Sequence, residues 1–331
     1  MSSRSTDLAK KAEDTEVASL TRTPRARKYT SGSYKSKRGL QYFLYALPFV
    51  AFVFAFAYVP LFGWVYAFFN YKPALSMGQM DFVGLDNFVK LYRDREVVAQ
   101  VLTNTLAISF ISLLFTPLPV IMAVLLNEIG SGKFRRIVQT TTTLPNFISW
   151  IVVFSLAYAL FSTNGGLVYE LLGKLGVPIP TIGVLGSNEW AWMFQVLLGI
   201  WKSLGWGMII YIAGIAGIDP ELYEASRIDG ANRLQSILHI TLPGLAPTFF
   251  VLLLLQISNL LNNGFEQFFV FYNSLVSEKL NVLDYYVYSS AFRTYDYSYS
   301  TVLGMLKTFV SVLLLFGANL FSKKLRGESL V

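Results

Sequence analysis

Residues 221–243 read ELYEASRIDGANRLQSILHITLP and form a polar stretch between two long apolar runs. The stretch holds acidic and basic side chains and the chain's only histidine, yet it is too short to bury a hydrophobic core of its own. Asp219 followed by Pro220 is a typical N-cap and first-turn pair, which predicts a helix beginning there. Gly230, directly after Asp229, is the expected stop of that helix.

A second short helix is predicted from about Ala231, because apolar residues recur on one face of the segment that follows. Leu242 and Pro243 are predicted to end this helix and to open the next apolar run. The stretch is therefore predicted to be a helix–turn–helix. Its apolar positions suit two interpretations, an amphipathic connector that rests on lipid headgroups or a docking surface for a soluble partner.

The composition is that of an integral membrane protein. The 331 residues are 54% hydrophobic and 14% charged, with a mean hydropathy of +0.49, whereas soluble domains carry about 25% charged residues. The absence of cysteine and the single histidine exclude a disulfide framework, a thiolate site and a multi-histidine metal site. No catalytic residue, metal ligand or resident cofactor is predicted.

Six apolar segments are each long enough to cross a bilayer. The predicted fold is therefore an all-α membrane protein with six transmembrane helices, and Pro60 is expected to kink the first. The predicted spans lie at 41–69, 101–127, 138–162, 190–217, 244–271 and 301–322. The predicted domains are a disordered basic cytoplasmic tail at 1–39, a transmembrane domain at 40–324 that includes the loop at 219–243, and a C-terminal cytoplasmic tail at 325–331.

The orientation is predicted from lysine and arginine. Residues 1–39 hold ten Lys and Arg against four Asp and Glu, and this tail supplies much of the net charge of +7. Such a basic flank next to the first span indicates a cytoplasmic N-terminus, not a nucleic-acid partner. Six spans then place the C-terminus and the 219–243 loop in the cytoplasm. The tyrosine-rich outer segment at 273–300 is expected to anchor at the interface and to contact an outer partner.

Polar residues within the spans are candidates for function, because a charge in a span costs about 2.5–3.5 kcal/mol on insertion scales. They could line a translocation path, with the two lysines favouring an acidic sugar. They could instead hydrogen-bond between helices, form an internal ion pair such as Glu266–Lys307, or snorkel to the interface. The path candidates are Asn146, Lys202, Asn259, Asn262, Asn263, Glu266, Gln267 and Lys307.

The polar stretch also resembles a known motif. EASRIDGA, followed eleven residues later by LP, is similar to the EAA loop of binding-protein-dependent ABC importer permeases. The family pattern is E-A-A-x-x-x-G-x(9)-I-x-L-P, with D-G-A common among sugar permeases. Ser226 replaces the second alanine. The matching positions are Glu224, Ala225, Asp229, Gly230, Ala231, Ile240, Leu242 and Pro243.

The resemblance extends beyond the loop. Segments such as YVPLFGWVYAFFNYKP, FRRIVQTTTTLPNFISWIVV and GFEQFFVFYN resemble the carbohydrate-uptake class, in particular oligosaccharide permeases of the polysaccharide-utilisation type, including uronate-rich ones. This implies a type I importer fold in the bacterial inner membrane. It also implies a second permease subunit, two ATPase subunits that bind ATP and magnesium, a solute-binding protein and an oligosaccharide substrate. The loop would couple the ATPases to the spans.

Two other classes of function fit the sequence less well. An ion-coupled secondary transporter could use an intramembrane acid such as Glu266, but it would leave the loop motif without a role and would be expected to show an inverted repeat. A membrane enzyme is disfavoured, because the chain has no cysteine, a single histidine that lies in the loop and no acid pair with clear spacing. The sequence also lacks the phosphate-binding motif G-x(4)-G-K-[ST], so ATP chemistry is assigned to the partner subunits.

Overall fold

The computed structural model describes residues 37–326, which are helical apart from turns and an isolated antiparallel bridge between Phe69 and Phe82. Of the predicted tails at 1–39 and 325–331, residues 1–36 and 327–331 lie outside the described residues, and the remaining few belong to the first and last helices. Short 3₁₀ and π-helical turns join several of the helices. The α-helices are α1 Lys37–Val53, α2 Asp86–Arg93, α3 Arg95–Leu114, α4 Pro117–Asn127, α5 Gly132–Thr143, α6 Trp150–Phe161, α7 Leu167–Lys174, α8 Ala191–Ala216, α9 Pro220–Ile228, α10 Arg233–Ser236, α11 Leu242–Ser258, α12 Phe265–Phe271, α13 Ser277–Leu280, α14 Leu283–Phe292 and α15 Tyr297–Arg326.

Within the described residues, five helical segments are long and apolar enough to cross a membrane, and a sharply bent pair of helices gives a sixth. Each of the six predicted spans overlaps a member of this set; the third corresponds to the bent pair, and the fifth is displaced along the chain. The segments are Tyr42–Phe68, Arg95–Asn127, Ala191–Ala216, Arg233–Ser258 and Tyr297–Leu320, with the bent pair Gly132–Phe147 and Trp150–Phe161.

The chain divides into two compact units between Phe62 and Gly63. In the first unit, α1 is followed by a π-helical turn at Phe54–Tyr58. A 3₁₀ helix begins at Val59, one residue before Pro60. The helical geometry therefore changes at the proline, as expected for a residue that gives no backbone N–H.

The predicted third span at 138–162 corresponds to a pair of helices with a sharp break between them. Helix α5 and the 3₁₀ turn Leu144–Phe147 meet α6 at an angle of 104°. The sequence explains the break, because the hydroxyls of Thr142 and Thr143 bond back to carbonyls of their own helix, at 2.8 Å to Val138 and 2.7 Å to Gln139. Such bonds weaken and bend a helix, and Pro145 then gives no N–H to continue it.

The fifth span is present, but its predicted bounds of 244–271 are displaced, because the apolar helical segment is Arg233–Ser258. Helix α11 ends at Ser258, and α12 begins only after Gly264 at φ +87°. The intervening sequence NLLNNG is rich in asparagine and ends in glycine, which are weak helix formers. A non-helical segment at bilayer depth is tolerated where it lies against protein or lines a cavity.

Helix α8 is the central packing element of the second unit. It packs against α3, α4, α5 and α11 and contributes to two buried clusters. One cluster joins Val196 of α8 to Phe268 and Phe271 of α12, and the other joins Met208 and Tyr211 of α8 to α4 and α11. Small residues permit close helix contacts in membranes, and glycines recur along this helix.

The tyrosine-rich outer segment is more buried than predicted. Tyr285 and Tyr299 are almost fully buried, and the ring of Tyr285 stacks on that of Tyr272 with centroids 4.1 Å apart. Burial raises the pKa of the Tyr285 phenol above its ordinary value. Tyr295 differs, because it is 72% exposed. Most of this segment therefore packs against the rest of the described residues.

Candidate coupling loop and translocation cavity

The first helix of the predicted loop has the expected caps. The Asp219 carboxylate accepts a hydrogen bond from the N–H of Glu221 at 3.0 Å, and Pro220 occupies the first turn. Gly230 adopts φ +78°, the left-handed conformation that terminates helices. The N–H of Ala231 then donates to the Ser226 carbonyl at 2.9 Å. The local sequence therefore specifies the length of α9.

The second helix begins at Arg233, two residues later than predicted. Asn232 and Gln235 form a reciprocal capping box, with N–H to side-chain oxygen distances of 2.9 and 2.8 Å. The helix does not end at Leu242 and Pro243 as predicted, because Arg233–Ser258 is one continuous helical segment. A π-helical turn at Ile237–Thr241 shifts the hydrogen-bond register directly before the proline, which gives no N–H.

Side-chain contacts link the two helices of the loop. The hydroxyl of Tyr223 on α9 lies 3.0 Å from that of Thr241, which is buried at the end of the π turn. The hydroxyl of Ser226 donates to the Tyr223 carbonyl at 2.9 Å and lies 3.3 Å from the hydroxyl of Ser236. Ser226 is therefore a polar link between the helices, a role that its size alone did not indicate.

The base of the loop is held by close contacts between α8 and α11. A Cβ on Gly214 would lie 2.9 Å from the Leu245 side chain, and a Cβ on Gly244 would lie 2.7 Å from that of Ile218. Such distances leave no room for a larger residue without a shift. The helix that enters the loop and the helix that leaves it are therefore closely packed against each other at the base of the loop.

The outer surface of the loop has an apolar stripe that the rest of the described chain leaves uncovered. Leu222, Ala225 and Ile228 are exposed, and Ile228 reaches 87%. Beside the stripe lies a recess of about 310 Å³ between the two helices. Of the predicted coupling residues, Glu224, Ala225, Asp229, Gly230, Leu242 and Pro243 are exposed, and Ser226, Ala231 and Ile240 are half-buried.

A cavity of about 510 Å³ lies among α3, α4, α8, α11, α12 and the turn between α11 and α12. Four of the eight predicted path residues line it, namely Asn259, Asn262, Asn263 and Gln267. Polar side chains from the neighbouring helices join them. These were missed by sequence reasoning, although a polar residue within an apolar span was the available signal; they are Ser109, Ser112, Thr116, Gln195, Ser203 and Gln256.

Two hydrogen-bonded groups hold the amides of this cavity in place. The Asn263 side chain donates to the Ser109 hydroxyl at 2.8 Å, and Ser109 donates to the Leu260 carbonyl at 2.5 Å. The Gln267 amide donates to the carbonyl and the side-chain oxygen of Gln195, both at 2.8 Å. The side-chain oxygen of Asn263 is buried without a partner among the described residues. The cavity wall thus offers fixed neutral hydrogen-bonding groups.

The other four predicted path residues do not line this cavity, and the lysines among them contact protein groups. Lys307 pairs with Asp284 of α14 and not with Glu266, one of the alternatives that the sequence left open, and it also donates to the Asn262 side chain at 3.3 Å. Asp284 in turn accepts from the Gly264 N–H at 3.1 Å. Sequence reasoning missed Asp284 because it lies in the outer segment.

Lys202 and Asn146 meet at the break of the third span. The Lys202 ammonium donates to the Asn146 carbonyl at 2.8 Å and to two neighbouring carbonyls. Glu266 is exposed, and its carboxylate acts electrostatically on Lys202 without forming an ion pair. The lysines are therefore occupied by protein groups and are not free cations at the cavity wall.

Comparison with known proteins identifies the family. Residues 115–327 match the family described as the binding-protein-dependent transport system inner membrane component. The chain belongs to this family. It is a multi-pass permease subunit of the inner membrane with the importer fold, and ATP hydrolysis belongs to a separate subunit. The family gives no support to the ion-coupled alternative.

Relatives and solved structures resemble the permease over most of its length. It is 37% identical over 289 residues to the polygalacturonan/rhamnogalacturonan transport system permease protein YteP of Bacillus subtilis (strain 168), covering 87% of this chain and 89% of that protein. It is 36% identical to Protein LplB of the same strain, with coverages of 89% and 92%. A crystal structure of a bacterial alginate ABC transporter, in complex with an alginate pentasaccharide-bound periplasmic protein, matches with a TM-score of 0.79 and 32% identity, over 89% of this chain and 98% of that one.

Proposed function

We propose that this permease is one of two permease subunits of an ATP-driven importer that moves oligosaccharides from a solute-binding protein into the cytoplasm. One observation carries the proposal. Helices α8 and α11, which both line the cavity, are the two helices that join the coupling loop. A force applied to the loop would therefore act directly on two walls of the cavity.

The loop surface suits a soluble ATPase partner. Its exposed apolar stripe and the exposed Glu224 would fit a cleft that offers apolar contact and a basic group. The ATPase subunits would bind ATP and magnesium and bring the loops of the two permeases together. The N-terminus, the loop and the C-terminus would lie in the cytoplasm, because the basic residues of the tail flank the first span.

The substrate class follows from the relatives and the cavity. YteP is named as a polygalacturonan/rhamnogalacturonan permease, and the matching crystal structure is of an alginate transporter, so a uronate-rich oligosaccharide is the best-supported substrate. The amides and hydroxyls of the cavity wall would hydrogen-bond sugar hydroxyls and permit sliding. The solute-binding protein would then be mainly responsible for selecting acidic sugars, because Lys202 and Lys307 are bound to groups of the permease itself.

Reconstitution tests this function. The permease would be purified with its partner permease and ATPase and placed in proteoliposomes with the binding protein and labelled oligogalacturonate. Uptake should require both ATP and the binding protein, and it should persist when ionophores collapse the ion gradients. Uptake that depends on a proton or sodium gradient instead of ATP would overturn the proposal.

A further inference from the structure

Lys202 of α8 lies at the break of the third span. Its ammonium donates to the carbonyls of Pro145 at 3.2 Å, Asn146 at 2.8 Å and Ile148 at 2.5 Å. These carbonyls belong to the 3₁₀ turn and to the residues just after it, where the chain turns by 104°. A break within a bilayer frees such carbonyls, and lipid cannot satisfy them. An ammonium group has three N–H donors, which matches the three carbonyls.

Aromatic contacts add to these hydrogen bonds and link α8 to both sides of the break. The Lys202 ammonium lies 5.6 Å from the ring centroid of Trp150, the first residue of α6. The ring of Trp206, about one turn further along α8, contacts Phe147 edge-on at 6.0 Å. Helix α8 therefore holds the turn and the start of the following helix together.

A glycine completes the contact on the other side of the break. A Cβ on the buried Gly205 would lie 2.1 Å from the Thr142 carbonyl oxygen, so α8 touches the backbone of α5 there. Real Cβ atoms do not approach backbone this closely. The end of α5, the turn and the start of α6 are thus all fastened to the same stretch of α8.

The same helix leads to the coupling loop. Helix α8 continues from Lys202 to Ala216, about 21 Å at the usual helical rise, and α9 of the loop follows after three residues. We propose that Lys202 is a positioning residue that fastens the break of the third span to α8, so that the two move as one body when the loop moves. That the loop moves during transport rests on the proposed function. The attachment of the break to α8 through Lys202 does not depend on that function.

Substitution at Lys202 tests the fastening in the reconstituted transporter. Lys202→Met keeps the length of the side chain but removes its donors. Sugar transported per ATP hydrolysed should fall about fivefold or more, the lower range of coupling between distant sites. The binding-protein concentration that gives half-maximal uptake should not change, and acidic and neutral oligosaccharides should be affected alike. Lys202→Arg, which keeps the charge and several donors, should recover part of the ratio.

Amide hydrogen exchange gives a readout that does not depend on transport. In the purified complex, amides at residues 148–152 should exchange about tenfold faster in Lys202→Met than in wild type, because the break opens more readily. Lys279→Met is the matched control, since its ammonium also lies over a tryptophan, Trp192 at 4.6 Å, but away from the break. If Lys202→Met does not assemble, Lys202→Gln, which keeps donors without charge, replaces it in both measurements.

Three results would overturn the inference. These are unchanged exchange at the break, an unchanged transport ratio, or a loss confined to acidic substrates. The last result would make Lys202 a substrate contact. Failure of the wild-type complex to transport sugar with ATP would count against the proposed function alone, because the exchange measurement would still report on the fastening.

Discussion

Charged side chains of this permease satisfy backbone groups at both helix breaks. Lys202 accounts for three carbonyls at the break of the third span. Asp284 accepts from the Gly264 N–H at the break of the fifth, and its partner Lys307 donates to Asn262 in the same turn. Each charge is thereby placed against peptide dipoles or an opposite charge, which lowers the cost of keeping it within a membrane protein.

The Lys307–Asp284 pair gives a prediction at this scale. Either Lys307→Met or Asp284→Asn should destabilise the purified permease complex by about 2 kcal/mol, since the remaining charge is left partly buried and unpaired. The double variant should lose clearly less than the sum of the two. Chemical denaturation of the four forms in detergent measures this, and strictly additive losses would show that the two groups do not interact energetically.

At the scale of helices, the helices of the loop could be predicted from the local sequence, whereas the helix breaks near Pro145 and Gly264 were not predicted. Asp219, Pro220 and Gly230 fix α9 by capping rules that act within a few residues. Hydropathy detects only length and apolarity, so the third and fifth spans were predicted as continuous although threonine–proline and asparagine–glycine runs marked both breaks. The pairing of Lys307 with Asp284 depends on tertiary packing, which a single sequence does not specify.

The link between the two loop helices can be tested by removing one hydroxyl. Tyr223→Phe loses the contact with Thr241, and a typical hydrogen bond contributes about 1 kcal/mol. ATP hydrolysis stimulated by loaded binding protein should fall up to about fivefold if that energy holds the coupling geometry. Tyr169→Phe removes a comparable contact, with the Val184 N–H at 2.9 Å, outside the loop and should leave stimulation unchanged. Equal effects of both substitutions would contradict a specific role of the Tyr223–Thr241 link in coupling.

On the scale of the whole molecule, the membrane topology connects sequence, fold and function. In the proposed topology, six crossings with a cytoplasmic N-terminus would place the loop on the side of the ATPases and the segment at 273–300 on the side of the binding protein. Reporter fusions after residue 30, within 221–243 and after Lys324 should report cytoplasm, and fusions near Gly84 and Asn281 should report the outside. A cytoplasmic signal at Asn281 would rule out the arrangement.

The central claim, that the loop couples ATP hydrolysis to the cavity, is tested most directly at Gly230. Gly230→Leu and Gly176→Leu are closely matched, because the glycines have φ +78° and +77° and neither has an atom within 4 Å of an added Cβ. Each substitution should cost about 1–2 kcal/mol of backbone strain, and only Gly230 lies in the loop. The measurement is ATP hydrolysis by the purified complex with loaded binding protein. We predict that stimulation is lost in Gly230→Leu and kept in Gly176→Leu, and equal stimulation in the two variants would contradict the claim.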